Sequence, residues 1–112
     1  MSSAMAEEKL HFMYVMYATD PKKAATREGW TDYDQATFDL HWAHLMTAKE
    51  SGKLVIAGRT LDPDGSGPAI VVFEADSPEE AQRFFESEPF VTRGFCTAKL
   101  HPFSNPVLKV DE

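Results

Sequence analysis

The sequence predicts an α+β fold in which one antiparallel sheet carries two helices on one of its faces. Four runs are rich in aromatic and β-branched residues, and two others repeat apolar residues every three or four positions. Along the chain these runs follow the order β-α-β-β-α-β. The 112 residues contain no repeat and no internal linker, so we expect one domain over residues 10–112 and a disordered tail over residues 1–9.

The first strand is expected over residues 10–18, LHFMYVMYA, where both faces of the alternating pattern are apolar. Such a strand belongs in the middle of a sheet, because neither of its faces meets water. Residues 19–30, TDPKKAATREGW, combine Pro21 and Gly29 with mixed charge and therefore predict a loop. The length and the glycine of residues 19–31 leave open whether they form a lid over a pocket.

A helix is expected to begin at Thr31 or Asp32, since either residue can cap it, and Asp34 adds negative charge to its first turn. One face of this helix carries the apolar spacing of three and four: Phe38, His41, Trp42 and Leu45. Gly52 is suited to the C-terminal cap, because glycine readily adopts the left-handed conformation found there.

A hairpin is predicted after this helix. Two strands, LVIAGRTL at 54–61 and PAIVVFEA at 68–75, flank the turn residues DPDGSG at 62–67. Asp, Pro and Gly supply the backbone conformations that a turn of this kind needs.

A second helix is predicted to begin with Ser77 as its cap and Pro78 at its first position, and Glu80 is placed to complete a capping box. A buried stripe follows at Ala81, Phe84 and Phe85. Pro89 is expected to end this helix, because proline cannot continue one.

A fourth strand is predicted within residues 94–103, GFCTAKLHPF, and Pro102 is expected to stop it. The natural packing of the order β-α-β-β-α-β is the ferredoxin-like plait, in which both helices cover one face of the sheet. The other face would then be an exposed apolar surface, which is typical of an interface. We therefore expect a homodimer that packs sheet against sheet.

Composition and charge exclude several classes of function. The net charge is -7, and the 11 basic side chains form no stripe that could bind a nucleic acid. No run approaches the roughly 18 apolar residues of a membrane span. The single cysteine, Cys96, has no partner for an internal disulfide, so a reducing cytoplasm is the simplest compartment.

Three stretches make the chain resemble the YCII-related (YciI-like) family: HWAHLMTAKESGKLVIAG, SPEEAQRFFESEPFV and LHPF. His41 stands thirteen positions before the Leu54 that opens LVIAG. The run EPF at 88–90 stands where the family usually has Asp-Pro-Tyr or Asp-Pro-Phe. The closing HPF is similar to the family's KPF or RPF, so the resemblance extends from the first strand to Phe103.

The resemblance implies a dimeric ferredoxin-like fold, related to muconolactone-isomerase-like proteins, with a histidine–carboxylate pair in a small pocket. It also implies chemistry on small ring compounds, such as dehydrochlorination or isomerisation of aromatic breakdown products. This chain has Glu88 where the family has Asp. The change keeps the carboxylate but adds a methylene, which could offset or re-aim the pair.

His41 and His44 admit three interpretations. At about 100° per residue, His41 lies within the apolar face of its helix and His44 lies at the edge of that face. As a metal site, the pair would need further ligands, for which Glu88, His101 and Asp39 are candidates without a metal-specific spacing. As an acid–base site, His41 would transfer protons while Glu88 fixes its tautomer. As a structural residue, His41 would only be a half-buried, hydrogen-bonded histidine.

Further residues are candidates for ligand binding. Arg59 suits a substrate carboxylate, and its alternative is a surface ion pair. Tyr14, Tyr17 and Phe90 suit the wall of an apolar pocket for a ring, and their alternative is core packing. His44 is expected at the rim of the site, as a binding residue or as a surface residue.

The sequence thus favours a dimeric enzyme without a metal or an organic cofactor, in which His41 is the general acid or base and Glu88 orients it. The reaction would be a lyase or isomerase step on a small cyclic or carboxylated compound. The alternative is a domain of the same dimeric fold that binds a small ligand without turnover.

Overall fold

The computed structural model describes residues 9–104 and 106–109 of the chain. The helices and strands of these residues are, in order, β1 (Leu10–Ala18), α1 (Pro21–Ala25), α2 (Asp32–Glu50), β2 (Leu54–Arg59), β3 (Ala69–Ala75), α3 (Pro78–Glu86), α4 (Pro89–Thr92) and β4 (Cys96–Phe103). The expected disordered tail lies outside the described residues, apart from Lys9.

The strands of the described residues form one antiparallel sheet in the order β2-β3-β1-β4. β1 lies inside the sheet, as its two apolar faces predicted, and Tyr14 pairs with Val71 on one side and with Leu100 on the other. This is the strand order of the ferredoxin-like plait, in which a hairpin joins β2 to β3 and β1 separates β3 from β4. The predicted fold class is therefore confirmed.

The two faces of the sheet differ in burial, because successive strand residues point in opposite directions. The face beneath the helices forms the core, which is centred on Phe12, Tyr14, Met16, Val71 and Phe73. Leu45 of α2 and Ala81 of α3 join this core, so both long helices pack on the same face. The opposite face carries the half-buried Met13 and Val15 and also Tyr17, of which 49% is exposed.

The ends of α2 follow from local side-chain chemistry. Thr31 is the cap, and its hydroxyl accepts the N–H of Asp34 at 3.1 Å while the Asp34 carboxylate accepts the N–H of Thr31 at 3.0 Å. Asp34 also pairs with Lys23 at 2.9 Å, which ties α1 to the first turn of α2. At the other end, Gly52 follows the helix with a φ of 80°, in agreement with the predicted cap.

Two prolines begin helices that the sequence analysis did not predict. Pro21 lies at the start of α1, which Asp20 caps, so residues 19–30 are not simply a loop. Pro89 begins α4, whereas α3 already ends at Glu86. Proline suits the first turn of a helix, because its fixed φ is helical and its missing N–H has no intrahelical partner there.

The strand ends need three corrections. β2 ends at Arg59 rather than at residue 61, and β3 begins at Ala69 rather than at residue 68. Pro102 does not stop β4, which continues to Phe103 with Pro102 opposite Phe12. β4 lies at the edge of the sheet, where a residue without an N–H can be accommodated.

The start of α3 also differs from the predicted capping box. The Ser77 hydroxyl accepts the N–H of Glu80 at 3.1 Å, as expected of a cap. The Glu80 carboxylate does not return to Ser77, because it accepts the N–H of Asp76 at 3.0 Å and the ammonium of Lys53 at 2.6 Å. An ion pair between Lys53, just before β2, and the first turn of α3 thus replaces the second half of the box.

Candidate functional site

Glu88 is a fully buried carboxylate at the junction of α3 and α4. It caps α4, and its Oε2 accepts the N–H of Phe90 at 3.0 Å. A helix N-terminus favours a negative charge, because its free N–H groups point towards it. The short helix that Pro89 begins therefore fixes the position of the carboxylate.

Two side chains from other elements meet this carboxylate. Nδ1 of His41, on α2, lies 2.7 Å from Oε2, and the hydroxyl of Tyr14, on β1, donates to Oε1 at 2.7 Å. The added methylene of Glu88 relative to Asp thus does not prevent contact with His41. The carboxylate is satisfied on both oxygens although it is shielded from solvent.

These partners determine the ionisation of the carboxyl group. Burial on its own would raise the pKa of Glu88. The hydrogen bond and charge of His41, together with the hydrogen bonds from Tyr14 and from the N–H of Phe90, outweigh burial and bring this pKa below its ordinary value. Glu88 is therefore ionised at neutral pH and accepts hydrogen bonds on both oxygens.

Tyr14 lies beneath the site rather than in the wall of a pocket. Its side chain is completely buried among aromatic rings, including Phe85 at 5.3 Å between centroids. Burial and the neighbouring charge of Glu88 raise the pKa of the Tyr14 hydroxyl, so it stays protonated and donates. Of the two predicted alternatives, ring binding and core packing, the structure bears out core packing, and the hydroxyl of Tyr14 also holds Glu88.

His41 is held in one orientation by contacts on two sides. Its ring stacks on Phe90, with 3.9 Å between centroids and 12° between planes, and 8% of the residue is exposed. Because Glu88 is ionised, we assign the hydrogen to Nδ1, which donates to the carboxylate. No hydrogen bond from the described residues reaches Nε2, the ring nitrogen opposite Glu88.

A cavity of about 650 Å³ adjoins His41. Its apolar wall contains five aromatic side chains: Trp30, Phe38, Trp42, Phe90 and Phe95. Arg59 also lines the cavity, because its pairing with Ala69 of β3 places it on the helix side of the sheet. The structure thus brings His41, Phe90 and Arg59 to one cavity, with Glu88 directly behind His41.

The segment from α1 to Trp30 forms another wall of the same cavity. Lys23, Arg27 and Trp30 line it, and the indole N–H of Trp30 donates to the carbonyl of Lys23 at 2.9 Å. Sequence reasoning treated this segment as a loop and missed all three residues. The signals in the sequence were a tryptophan and three basic residues in a stretch without periodicity, and these do not show which way each side chain points.

His44 lies outside this cavity. It lines a separate groove of about 540 Å³ between α2 and α3, and its ring stacks on Phe84 with 4.3 Å between centroids. Its Nε2 is buried and has no hydrogen-bond partner among the described residues. Burial lowers the pKa of His44, and the charge of Glu88 opposes this only in part.

Two further side chains, His101 and Cys96, bear on metal and thiol chemistry. Within residues 9–104 and 106–109, no three His, Cys, Asp or Glu side chains lie close enough together to hold a metal ion. His101 is on β4 with its Cα opposite Met13, which is on the face of the sheet away from the helices. Cys96 lines the cavity, but burial, together with the charge of Glu88, raises the pKa of its thiol to about 12.

Comparison with known proteins identifies a family. The family model of the YCII-related domain matches residues 12–104, from β1 to the end of β4. A search of curated proteins gives no match. In the part of the chain that the structure describes, none of the helices combines the length and the apolar character needed to cross a bilayer.

Proposed function

The chain belongs to the YCII-related domain family, and we propose that it is a small acid–base enzyme acting at the cavity beside His41. The observation that carries this proposal is the 2.7 Å contact between His41 Nδ1 and the buried carboxylate of Glu88. The ring of a histidine held in this way has a fixed orientation, so its Nε2 atom is positioned to act as a base. The proposed reaction is a lyase or isomerase step on a small cyclic or carboxylated compound.

The proposed chemistry begins with proton transfer to Nε2 of His41 from a carbon or hydroxyl group of the substrate. Glu88 stabilises the positive charge that the imidazole ring then carries. In an isomerisation, the proton returns to a different atom of the substrate. In a lyase step, the electron pair of the broken C–H bond forms a double bond while a leaving group departs with its own pair.

The other candidate residues have different proposed roles. Arg59 is proposed to bind a negative group of the substrate, and Phe90 is proposed to hold the His41 ring and contact a ring of the substrate. Tyr14 is a positioning residue, because it contacts Glu88 and does not line the cavity. We leave His44 out of the proposed site, since it lines a separate groove.

A deuterium-exchange experiment tests the proposal without a known product. The protein is incubated in D₂O with a panel of unsaturated lactones, cyclic keto acids and chlorinated hydroquinones, and NMR follows exchange of their C–H groups. For a compound that exchanges, we expect His41→Gln to reduce the rate by about 10²–10⁴-fold, the usual contribution of a general base. Glutamine keeps a donor for Glu88, so this variant is expected to fold.

His44→Gln is the matched control for this experiment. It replaces a histidine of the same helix, and we expect the exchange rate to stay within about twofold of the unmodified protein. Equal losses in the two variants would contradict the proposal. A ligand that binds at the cavity without any exchange or turnover would favour the alternative, a non-catalytic binding domain.

The homodimer remains part of the proposal. It is supported by the sheet face that the described helices leave uncovered. Ile56 and Tyr17 on this face are 54% and 49% exposed, and Phe103 is 37% exposed. Large apolar side chains grouped on one surface favour an interface between two copies of the chain. Sedimentation equilibrium measures the number of copies directly.

A reducing cytoplasm also remains a proposal for the compartment. It is supported by Cys96, which is a free and buried thiol. A lone thiol of this kind is ordinary in a reducing environment. Fractionation of cells that express the full chain is the measurement that tests it.

A further inference from the structure

We infer that the cavity beside His41 selects an organic anion, namely a planar ring that carries a carboxylate, with Arg59 and Arg27 binding the carboxylate. The inference rests on the proposed function for the identity of the site. It adds the charge and the shape of the ligand, and it assigns a role to Arg27.

The first observation is the charge of the cavity wall. The chain has 18 acidic and 11 basic side chains, so a surface chosen at random is expected to be acidic. None of the residues that line the cavity is Asp or Glu, whereas Lys23, Arg27 and Arg59 all line it. A basic wall in an acidic protein attracts anions and repels cations.

The second observation is that two of these cations have no carboxylate partner in the part of the chain that the structure describes. Lys23 is neutralised by Asp34, whose carboxylate lies 2.9 Å from its ammonium. The described residues place no carboxylate within ion-pair distance of Arg59, whose Nη1 donates only to the carbonyl of Ala24 at 3.3 Å. The same holds for Arg27 within the described ranges.

Arg27 is held by aromatic rings. Its guanidinium lies 4.4 Å from the ring centre of Phe38 and 4.9 Å from that of Trp30. A guanidinium stacked on a ring still has the N–H donors of its edge, which lie in its plane and match the two oxygens of a carboxylate. Arg27 is therefore pre-positioned at the cavity, and no hydrogen bond joins its guanidinium to another of the described residues.

Glu88 does not compete for these arginines. It is the carboxylate directly behind His41, but it is fully buried and already accepts hydrogen bonds from Tyr14, His41 and the N–H of Phe90. Its charge is thus compensated inside the core. The positive groups at the cavity remain available to a ligand.

The third observation is the shape of the cavity and its apolar wall. Its volume of about 650 Å³ falls in the usual range of small-molecule sites, and it is far larger than a simple ion requires. Trp30, Phe38 and Trp42 line it, and an aromatic wall of this kind suits a planar ring. A ring compound with a negative group satisfies both the aromatic wall and the arginines.

Benzoate and benzamide are the probes for this inference, because they share the ring and differ in charge. Both tryptophans of the chain, Trp30 and Trp42, line the cavity, so intrinsic fluorescence reports on binding, and calorimetry gives the affinity. We expect benzoate to bind about tenfold or more tightly than benzamide, as a charged hydrogen-bonded pair would give. Acetate, which lacks the ring, is expected to bind more weakly than benzoate.

The arginine variants locate the anion. Arg59→Gln and Arg27→Gln are each expected to weaken benzoate binding about tenfold while benzamide changes by less than about twofold. Arg83→Gln is the matched control, because it removes the same charge from an exposed position on α3 outside this cavity. It is expected to leave benzoate affinity within about twofold. Circular dichroism checks that each variant is folded.

Three results would overturn the inference: no benzoate binding, equal affinities for benzoate and benzamide, or an equal loss in Arg83→Gln and Arg59→Gln. None of these results would change the test of the enzyme proposal, which is deuterium exchange that depends on His41. Conversely, a benzoate preference that depends on Arg59, without any exchange, would keep the anion site and exclude the proposed reaction. The two proposals are therefore separable.

Discussion

His41 and His44 lie three residues apart on one helix, and yet they differ in their hydrogen-bond partners. Each ring stacks on a phenylalanine, at 3.9 Å for His41 and 4.3 Å for His44. His41 has a buried carboxylate at 2.7 Å, whereas Nε2 of His44 is buried without a partner among the described residues. The aromatic neighbour is thus common to both, and the carboxylate is what distinguishes the candidate catalytic residue.

Helix geometry explains the separation. A shift of three residues turns a side chain by about 300°, so His44 projects some 60° away from His41. That angle directs His41 towards α4 and the cavity, and His44 towards α3 and Phe84. The comparison teaches that a pair of histidines at this spacing is not a site in itself. Each one takes its chemistry from the element against which it packs.

The largest expected effect comes from removing the carboxylate. Glu88→Ala leaves Nδ1 of His41 and the hydroxyl of Tyr14 unpaired in the core and removes the cap of α4. We expect the free energy of unfolding to fall by about 3 kcal/mol or more, as for a broken buried pair. Urea denaturation measures it. Glu86→Ala, at an exposed position two residues earlier, is expected to cost less than about 0.5 kcal/mol.

The contribution of the Glu88 charge also depends on pH. Its pKa is lowered in the folded protein, so the unfolded chain takes up the proton first as the pH falls below the ordinary value of 4.5. The stabilisation is fully present above that value and is lost as the pH falls through the lowered pKa. The difference between the unmodified protein and Glu88→Ala should therefore shrink between about pH 7 and about pH 3.5. A constant difference would contradict the buried charge.

An intermediate effect is expected from Tyr14→Phe, which removes one hydrogen bond to Glu88 and keeps the ring. We expect a loss of about 1.5–3 kcal/mol in the free energy of unfolding, the usual cost for a hydrogen bond to a charged group. Tyr17→Phe is the matched control, because it makes the same change on the other face of the sheet, where 49% of the residue is exposed. Equal losses in the two variants would mean that the Tyr14 hydroxyl does not support Glu88.

The smallest expected effect concerns His44. Burial lowers its pKa, so the unfolded chain binds a proton first as the pH falls below 6.5, and the folded state loses stability there. His44→Gln removes this titration, so the variant should lose less stability than the unmodified protein between about pH 7 and about pH 5. The difference should stay below about 1 kcal/mol, because the ring is only half buried. Thermal unfolding across this range measures it.

Much of the fold could be predicted because it depends on local patterns. The alternation over Leu10–Ala18 predicted the central strand, and the cap signals at Thr31 and Gly52 agree with the ends of α2. The spacing of apolar residues also placed His41 on the inner face of its helix. Two of the exceptions, at Pro21 and Pro89, arise because proline interrupts a helix interior but suits the first position of a helix, and each of these prolines begins a short one.

The site could be predicted only in part. His41 and Glu88 were paired through a family resemblance, whereas their contact spans 47 positions of sequence and that of Tyr14 with Glu88 spans 74. Arg27 was missed, because its place depends on stacking against Phe38, which no local pattern encodes. Alternation along β2 could not have placed Arg59, because a register shift between Leu54 and Ile56 brings both Leu54 and Arg59 to the helix face.

The sequence by itself determined the order of the four strands and the two long helices, the central position of β1 and the inward direction of His41. These features follow from periods of two and 3.6 residues and from turn and cap chemistry, all of which act over a few neighbouring positions. Only the tertiary structure decided that Glu88 reaches His41, that Tyr14 supports Glu88, and that His44 lies in another groove. Such contacts depend on how α2 and α4 pack over the sheet, and distances between packed elements are set by the whole core rather than by any one segment.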